Sequence, residues 1–189
     1  PTPLPYRWMR SDAPAELGQH IVGMLAGDVR EMPEVLLRLG QSTHTESLRL
    51  YERLRGLLPR EMQEFWRHYD EPDAVPRPQR AEGLHLVREA FVRHADTAQT
   101  ERFLRIVVSY GMEELRIAAD AYMTAGRHAA ARAAWELCAQ QGDDADALYG
   151  AGLCTIRMGD VDAGREYLMQ ALTANSAHRK ARELMEWIG

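Results

Sequence analysis

The stretch that decides the fold is Leu115–Cys138, LRIAADAYMTAGRHAAARAAWELC, with a counterpart at Leu148–Ala171, LYGAGLCTIRMGDVDAGREYLMQA. The two stretches start 33 residues apart, and each has a glycine, Gly126 or Gly159, at the same point. Around that glycine, large and small residues follow one another in the same order. The matched positions are Leu115 and Leu148, Ala119 and Gly152, Ala131 and Gly164, Trp135 and Leu168, and Cys138 and Ala171. A fixed period of this length predicts a repeated pair of helices.

This register resembles the tetratricopeptide repeat (TPR), in which small residues let two antiparallel helices approach and large residues fill the space between pairs. The resemblance covers residues 112–144 and 145–178, and a divergent unit is expected at residues 81–111. The chain departs from the family at the closing proline, which is replaced by Asp143 and Ser176. The resemblance implies a TPR-like α-solenoid.

Composition also favours helices. The chain of 189 residues contains 26 alanines and 21 leucines, but only nine valines and five isoleucines. Unbranched side chains lose little rotamer freedom in a helix, whereas buried parallel strands need runs of valine and isoleucine. We therefore expect an all-α chain of antiparallel helix pairs.

The remainder of the chain is divided by a proline-rich boundary at residues 75–80. Before it we expect an extended arm, residues 1–11, and an N-terminal helical region, residues 12–74. After it we expect the repeats, followed by a capping helix over residues 179–189 with one apolar face. The N-terminal region is either a separate domain or a cap of the solenoid.

Two local patterns precede the boundary. Thr43 and Glu46 match a capping box, in which a hydroxyl and a carboxylate bond to backbone amides at a helix start. Further on, an apolar stripe predicts a helix that packs into the core or, as the alternative, lines a ligand pocket. The stripe consists of Met62, Phe65, Trp66 and Tyr69.

Charge and cysteine usage exclude several classes of partner. The 23 basic and 28 acidic residues leave a net charge of −5. We expect no nucleic-acid binding, since that requires a basic face. We also expect no membrane insertion, because no apolar stretch is long enough. Cys138 and Cys154 do not form a disulfide framework, and the stretch that starts at Pro1 lacks the basic and apolar regions of a signal peptide, so we expect a cytoplasmic protein with reduced thiols.

Catalytic and metal-binding patterns are missing from the sequence. It contains no His-Asp pair, no His-Glu-x-x-His stretch and no glycine-rich phosphate loop. His85 and His94 are nine residues apart, which on a helix turns them to opposite sides, so they would not share a metal. We therefore expect a non-enzymatic protein with no catalytic residue, no metal and no cofactor.

The TPR resemblance implies that the first helix of each pair lines a concave groove for a partner. By position, the expected partner-binding residues are His85, Glu89, Arg93, Arg116, Asp120, Met123, Tyr149, Leu153, Ile156 and Arg157. Apolar area with interspersed charge is what peptide recognition requires. The alternative for Arg116 and Asp120 is an i,i+4 pair on a solvated face.

The resemblance thus predicts a module that binds a peptide or helical segment of another protein, as an adaptor, a scaffold or a secretion-type chaperone. An accessory or regulatory domain of a larger enzyme is the alternative, suggested by the proline-rich boundary and the Pro1 start. A transcriptional regulator is less favoured, because residues 1–74 are acidic. Met185 and Trp187, near the C-terminus, either dock on a second copy of the chain or pack on the last repeat, so homo-oligomerisation stays open.

Overall fold

The computed structural model describes residues 32–58, 60–72, 82–142 and 144–189. These residues form ten helices and no strand, which confirms the all-α expectation. The predicted arm, the residues before Met32 and the proline-rich boundary lie outside the described residues. The helices are α1 (Met32–Gly40), α2 (Thr45–Arg55), α3 (Arg60–Asp70), α4 (Glu82–His94), α5 (Thr97–Tyr110), α6 (Met112–Thr124), α7 (His128–Gln140), α8 (Ala145–Arg157), α9 (Val161–Ala174) and α10 (Arg179–Ile188).

The helices group into two compact units. The described part of the first unit contains α1 to α4, and that of the second contains α5 to α10. Helix α4 therefore groups with the N-terminal helices and α5 with the repeats, although the sequence pairs them as one divergent repeat at residues 81–111. The domain limits drawn from the sequence stay a prediction.

Aromatic side chains form the core of the first unit. Phe65, Trp66 and Tyr69 of α3 are all buried, and so is Phe91 of α4. The rings of Trp66 and Phe91 meet edge to face, with centroids 5.3 Å apart, an arrangement that aromatic quadrupoles favour. The apolar stripe predicted on α3 is thus confirmed as a core stripe.

A carboxylate joins α2 to α3 in the same unit. The Tyr51 hydroxyl donates a hydrogen bond of 2.7 Å to Oδ1 of Asp70, and Arg55 pairs with Oδ2. Burial, reinforced by Asp70, raises the pKa of Tyr51 well above its ordinary value. The hydroxyl therefore stays protonated and remains a donor to Asp70.

The predicted capping box at the start of α2 is wrong. The helix begins after His44, and no side chain caps it. Because Thr43 lies one residue before that N-cap, its hydroxyl is not placed to bond to the first-turn amides. A capping box instead starts α5, where the Gln99 amide donates to Asp96 Oδ1 over 2.8 Å and Gln99 Oε1 accepts from the Asp96 amide.

Helices of the second unit pack in chain order. Each of α5 to α9 contacts the helix that follows it, and α5 also contacts α7. The residues at matched repeat positions are buried, apart from Leu148, which is half-buried; the buried ones are Leu115, Ala119, Ala131, Trp135, Cys138, Gly152, Gly164, Leu168 and Ala171. This packing of neighbouring helices is compatible with a helical repeat.

Glycines have two separate roles in this packing. Gly126 and Gly159 end the first helix of each pair at positive φ, 72° and 94°, where a side chain would be strained. Gly152 and Gly164 lie where α8 and α9 cross. A Cβ on Gly164 would be 2.4 Å from Cγ1 of Ile156 and 3.1 Å from the carbonyl oxygen of Gly152. Only small residues at these two positions allow α8 and α9 to come this close.

Helix α10 follows α8 by one 33-residue period but carries a different residue at both matched positions: alanine in place of leucine, and methionine in place of glycine. Ala181, buried, follows Leu148 by one period, as Met185 follows Gly152. The equivalent residues in α6 and α8, Ala119 and Gly152, are small, whereas Met185 is large. A second helix therefore cannot approach α10 as closely as α9 approaches α8.

His178 attaches α10 to α8. Its Nδ1 accepts a hydrogen bond from the Ala181 amide at 3.0 Å and so caps α10. Nε2 lies 3.0 Å from Oδ1 of Asp146, and the ring packs against that of Tyr149, with centroids 5.3 Å apart. Because Nδ1 is an acceptor here, the proton is on Nε2, which donates to Asp146.

We predict that Gly164→Ala destabilises the fold, because the added Cβ would force Ile156 and the Gly152 carbonyl apart. Overpacking costs about 1–3 kcal/mol, and alanine regains about 1 kcal/mol in helix propensity, so we expect a net loss of up to about 2 kcal/mol. Unfolding both the variant and the unaltered chain in urea measures this loss in the free energy of unfolding.

Gly142→Ala is the matched control, because a Cβ there meets no atom within 4 Å. Its effect is expected to stay within about 0.5 kcal/mol. Equal stabilities for the two variants would contradict the close crossing of α8 and α9.

Candidate functional site

The expected partner-binding residues are distributed over both units. His85, Glu89 and Arg93 lie on α4 in the first unit, and all three are exposed. Glu89 and Arg93 pair at 2.7 Å, one helical turn apart. The remaining seven lie in the second unit, on α6 and α8.

Six of these seven define what we call the first-helix face of the second unit. They are Arg116, Asp120 and Met123 on α6, and Tyr149, Leu153 and Arg157 on α8. Ile156, the seventh, is half-buried and packs towards α9, where it contacts the Leu168 cluster and lies over Gly164. Its contacts are those of a core residue.

Met123 is the point at which α6 and α8 meet on this face. Its Sδ atom lies 3.5 Å from Sγ of Cys154 and 3.6 Å from Nη1 of Arg157. Met123 and Leu153 are half-buried, and Arg157 is exposed. Among the described residues, no carboxylate forms an ion pair with Arg157. A guanidinium without an acidic partner thus lies over an apolar surface.

Arg116, by contrast, already has a partner. Its Nη2 lies 2.5 Å from Oδ2 of Asp144, and within the described chain it is Asp144, and not Asp120, that pairs with it. Asp144 is also the N-cap of α8 and accepts from the amides of Asp146 and Ala147 at 3.1 and 3.2 Å. This pair joins α6 to the start of α8 and so orients the face.

Tyr149 is half-buried between the face and α10. Its ring packs on His178, and burial raises its pKa, an effect that Arg157 partly opposes. The phenol is therefore neutral at physiological pH and can donate a hydrogen bond to a ligand.

Sequence reasoning missed three residues that shape this face: Asp144, Cys154 and His178. The Asp-Ala step at the start of α8 is a helix N-cap signal and could have identified Asp144. No local pattern could have identified the other two, because their contacts join residues about one repeat apart.

A groove of about 790 Å³ lies between the second helices, α7 and α9. At its edge, the Tyr167 hydroxyl donates a hydrogen bond of 2.5 Å to Glu136, which raises the pKa of Tyr167 to about 12. Gln140 and Gln170 are polar residues of its lining, and Leu148 is one of the apolar ones. None of the six first-helix-face residues lines this groove.

The described ranges contain neither a metal-binding cluster nor a membrane-spanning helix. Within them, no three His, Cys, Asp or Glu side chains come together as a metal-binding group. In the same part of the chain, no helix has both the length and the apolar character needed to cross a membrane.

Comparison with known proteins identifies no relative: no family model, no curated protein and no solved structure matches the chain. The class that the structure itself defines is an all-α protein of sequentially packed helices, compatible with a helical repeat.

We predict that both cysteines react slowly in the folded chain. Cys138 and Cys154 are buried, and burial raises the pKa of each thiol to about 11 from an ordinary value of 9.0. Two pKa units lower the reactive thiolate fraction about a hundredfold at pH 8, before steric protection is counted.

Mass spectrometry of iodoacetamide labelling at pH 8 tests this prediction. The chain unfolded in guanidinium is the control, and it should take up two labels quickly. Labelling of either cysteine in the folded chain at the unfolded rate would contradict the burial of that cysteine.

Proposed function

We propose that this chain is a TPR-like helical repeat that catalyses no reaction and binds a peptide or helical segment of another protein on its first-helix face. It would act as an adaptor, a scaffold or a secretion-type chaperone. The 33-residue register supports the TPR assignment, because its matched positions in α6 to α9 are buried, apart from the half-buried Leu148.

One observation carries the choice of face. Arg157 is exposed, has no acidic partner among the described residues, and lies beside Met123 and Leu153. Other arginines of the second unit form ion pairs on the surface, such as Arg116 with Asp144 and Arg132 with Glu136. A guanidinium is well suited to hold a carboxylate through parallel hydrogen bonds.

The chemistry of the partner segment follows from these neighbours. A carboxylate on the segment would pair with Arg157, and an apolar side chain next to it would cover Met123 and Leu153. The apolar contact supplies most of the binding energy, whereas the charge pair sets the register and excludes segments without an acid. Tyr149 adds a donor at the α10 end of the face.

We predict that Arg157→Glu weakens partner binding about tenfold or more, because the reversed charge repels the acid of the partner segment. A protein that co-purifies in stoichiometric amounts with the tagged full-length chain from its source cells would be identified first. Its affinity for each variant is then measured by calorimetry.

The control is Arg105→Glu, which reverses an exposed arginine on α5, a helix that carries none of the first-helix-face residues. This variant should bind like the unaltered chain. Equal affinities for the Arg157 and Arg105 variants would exclude the first-helix face as the binding site. A second variant, Tyr149→Ala with Arg157→Glu, tests the whole face.

A further inference from the structure

Helix α10 exposes the most solvent-accessible large apolar side chain of the described residues. Trp187 is 78% exposed. The other side of the helix is already occupied: Ala181 is buried, and Leu184 and Met185 pack half-buried against the cluster that includes Leu168. Trp187 is thus left outside the fold, and tryptophan is the residue type most often found at the energetic centre of interfaces.

The charges of α10 run against its dipole. The first turn carries Arg179 and Lys180 and no acid, and the last turn carries Glu186 and no base. Helix N-termini are partially positive, so this order is locally unfavourable. Helices α2 and α8 have the opposite, favourable order, with acids in the first turn and arginines in the last.

The charge order of α10 makes it complementary to a reversed copy of itself. In an antiparallel pair, the basic first half of one helix lies beside the acidic second half of the other, and the two dipoles oppose. Trp187 of each copy would lie at the basic first turn of the other, where an ammonium or guanidinium can sit over the indole ring. This complementarity requires no other partner.

We propose that two copies of this chain associate through α10, packed antiparallel across a twofold axis, with Trp187 as the anchor. Such an isologous contact uses one surface twice, which is how most protein dimers close. A ten-residue helix is only about 15 Å long, so the interface is small and the dimer is expected in the micromolar range. The proposal is independent of the first-helix face.

Sedimentation equilibrium of the full chain tests the anchor. We expect a monomer–dimer equilibrium, and Trp187→Ser should raise its dissociation constant about tenfold or more. Leu57→Ser is the matched control, because Leu57 is also an exposed apolar residue, at 60%, but lies in the first unit. A monomeric unaltered chain at all concentrations, or equal effects of the two substitutions, would overturn the proposal.

Charge reversal tests the antiparallel arrangement. An acidic variant carries Arg179→Glu and Lys180→Glu, and a basic variant carries Glu183→Lys and Glu186→Lys. Each alone should dimerise more weakly, whereas an equimolar mixture should form heterodimers at least as tight as the original dimer. Both variants improve the match to the helix dipole but break the i,i+4 ion pair between Arg179 and Glu183, so circular dichroism checks that α10 stays helical in each. A mixture that stays monomeric contradicts the proposal.

Discussion

The close crossing of α8 and α9 is the constraint on which the second unit depends. Gly152 of α8 and Gly164 of α9 have no side chain at the crossing, so the backbones of the two helices can approach each other closely. Ile156 then fills the space beside the glycines, on the side of α8 that faces α9. The opposite side of α8 is thereby turned towards α6, and this side carries Cys154 and Arg157.

Polar contacts then set the position of each first helix relative to the next. Asp144 joins α6 to α8, and the contact of Asp146 with His178 joins α8 to α10. Both contacts occur at helix N-termini, where a capping side chain also holds a neighbouring helix. The proposed site lies at the opposite end of α8, at Arg157, which forms no ion pair with a carboxylate of the described residues.

The sequence predicted the buried faces of the helices but not the residue at which each helix begins. The apolar stripe of α3 and the buried positions of the repeats followed from periodicity, because a residue's place on a helix is a local property. The capping box at Thr43 failed because the helix begins one residue later than the pattern suggested, with His44 as its N-cap. Helix ends depend on which of several adjacent starts packs best, and this makes them hard to read from residue types alone.

The sequence by itself determined that the described chain is helical and that the residues of α6 to α9 follow a 33-residue register. Both properties depend on residues close to each other along the chain, where propensity and spacing act directly. Only the tertiary structure decided that α4 groups with the first unit, that Met123 meets Cys154 and Arg157, and that Trp187 stays exposed. Those outcomes arise from helix-to-helix contacts between residues far apart in sequence, and no local pattern encodes them.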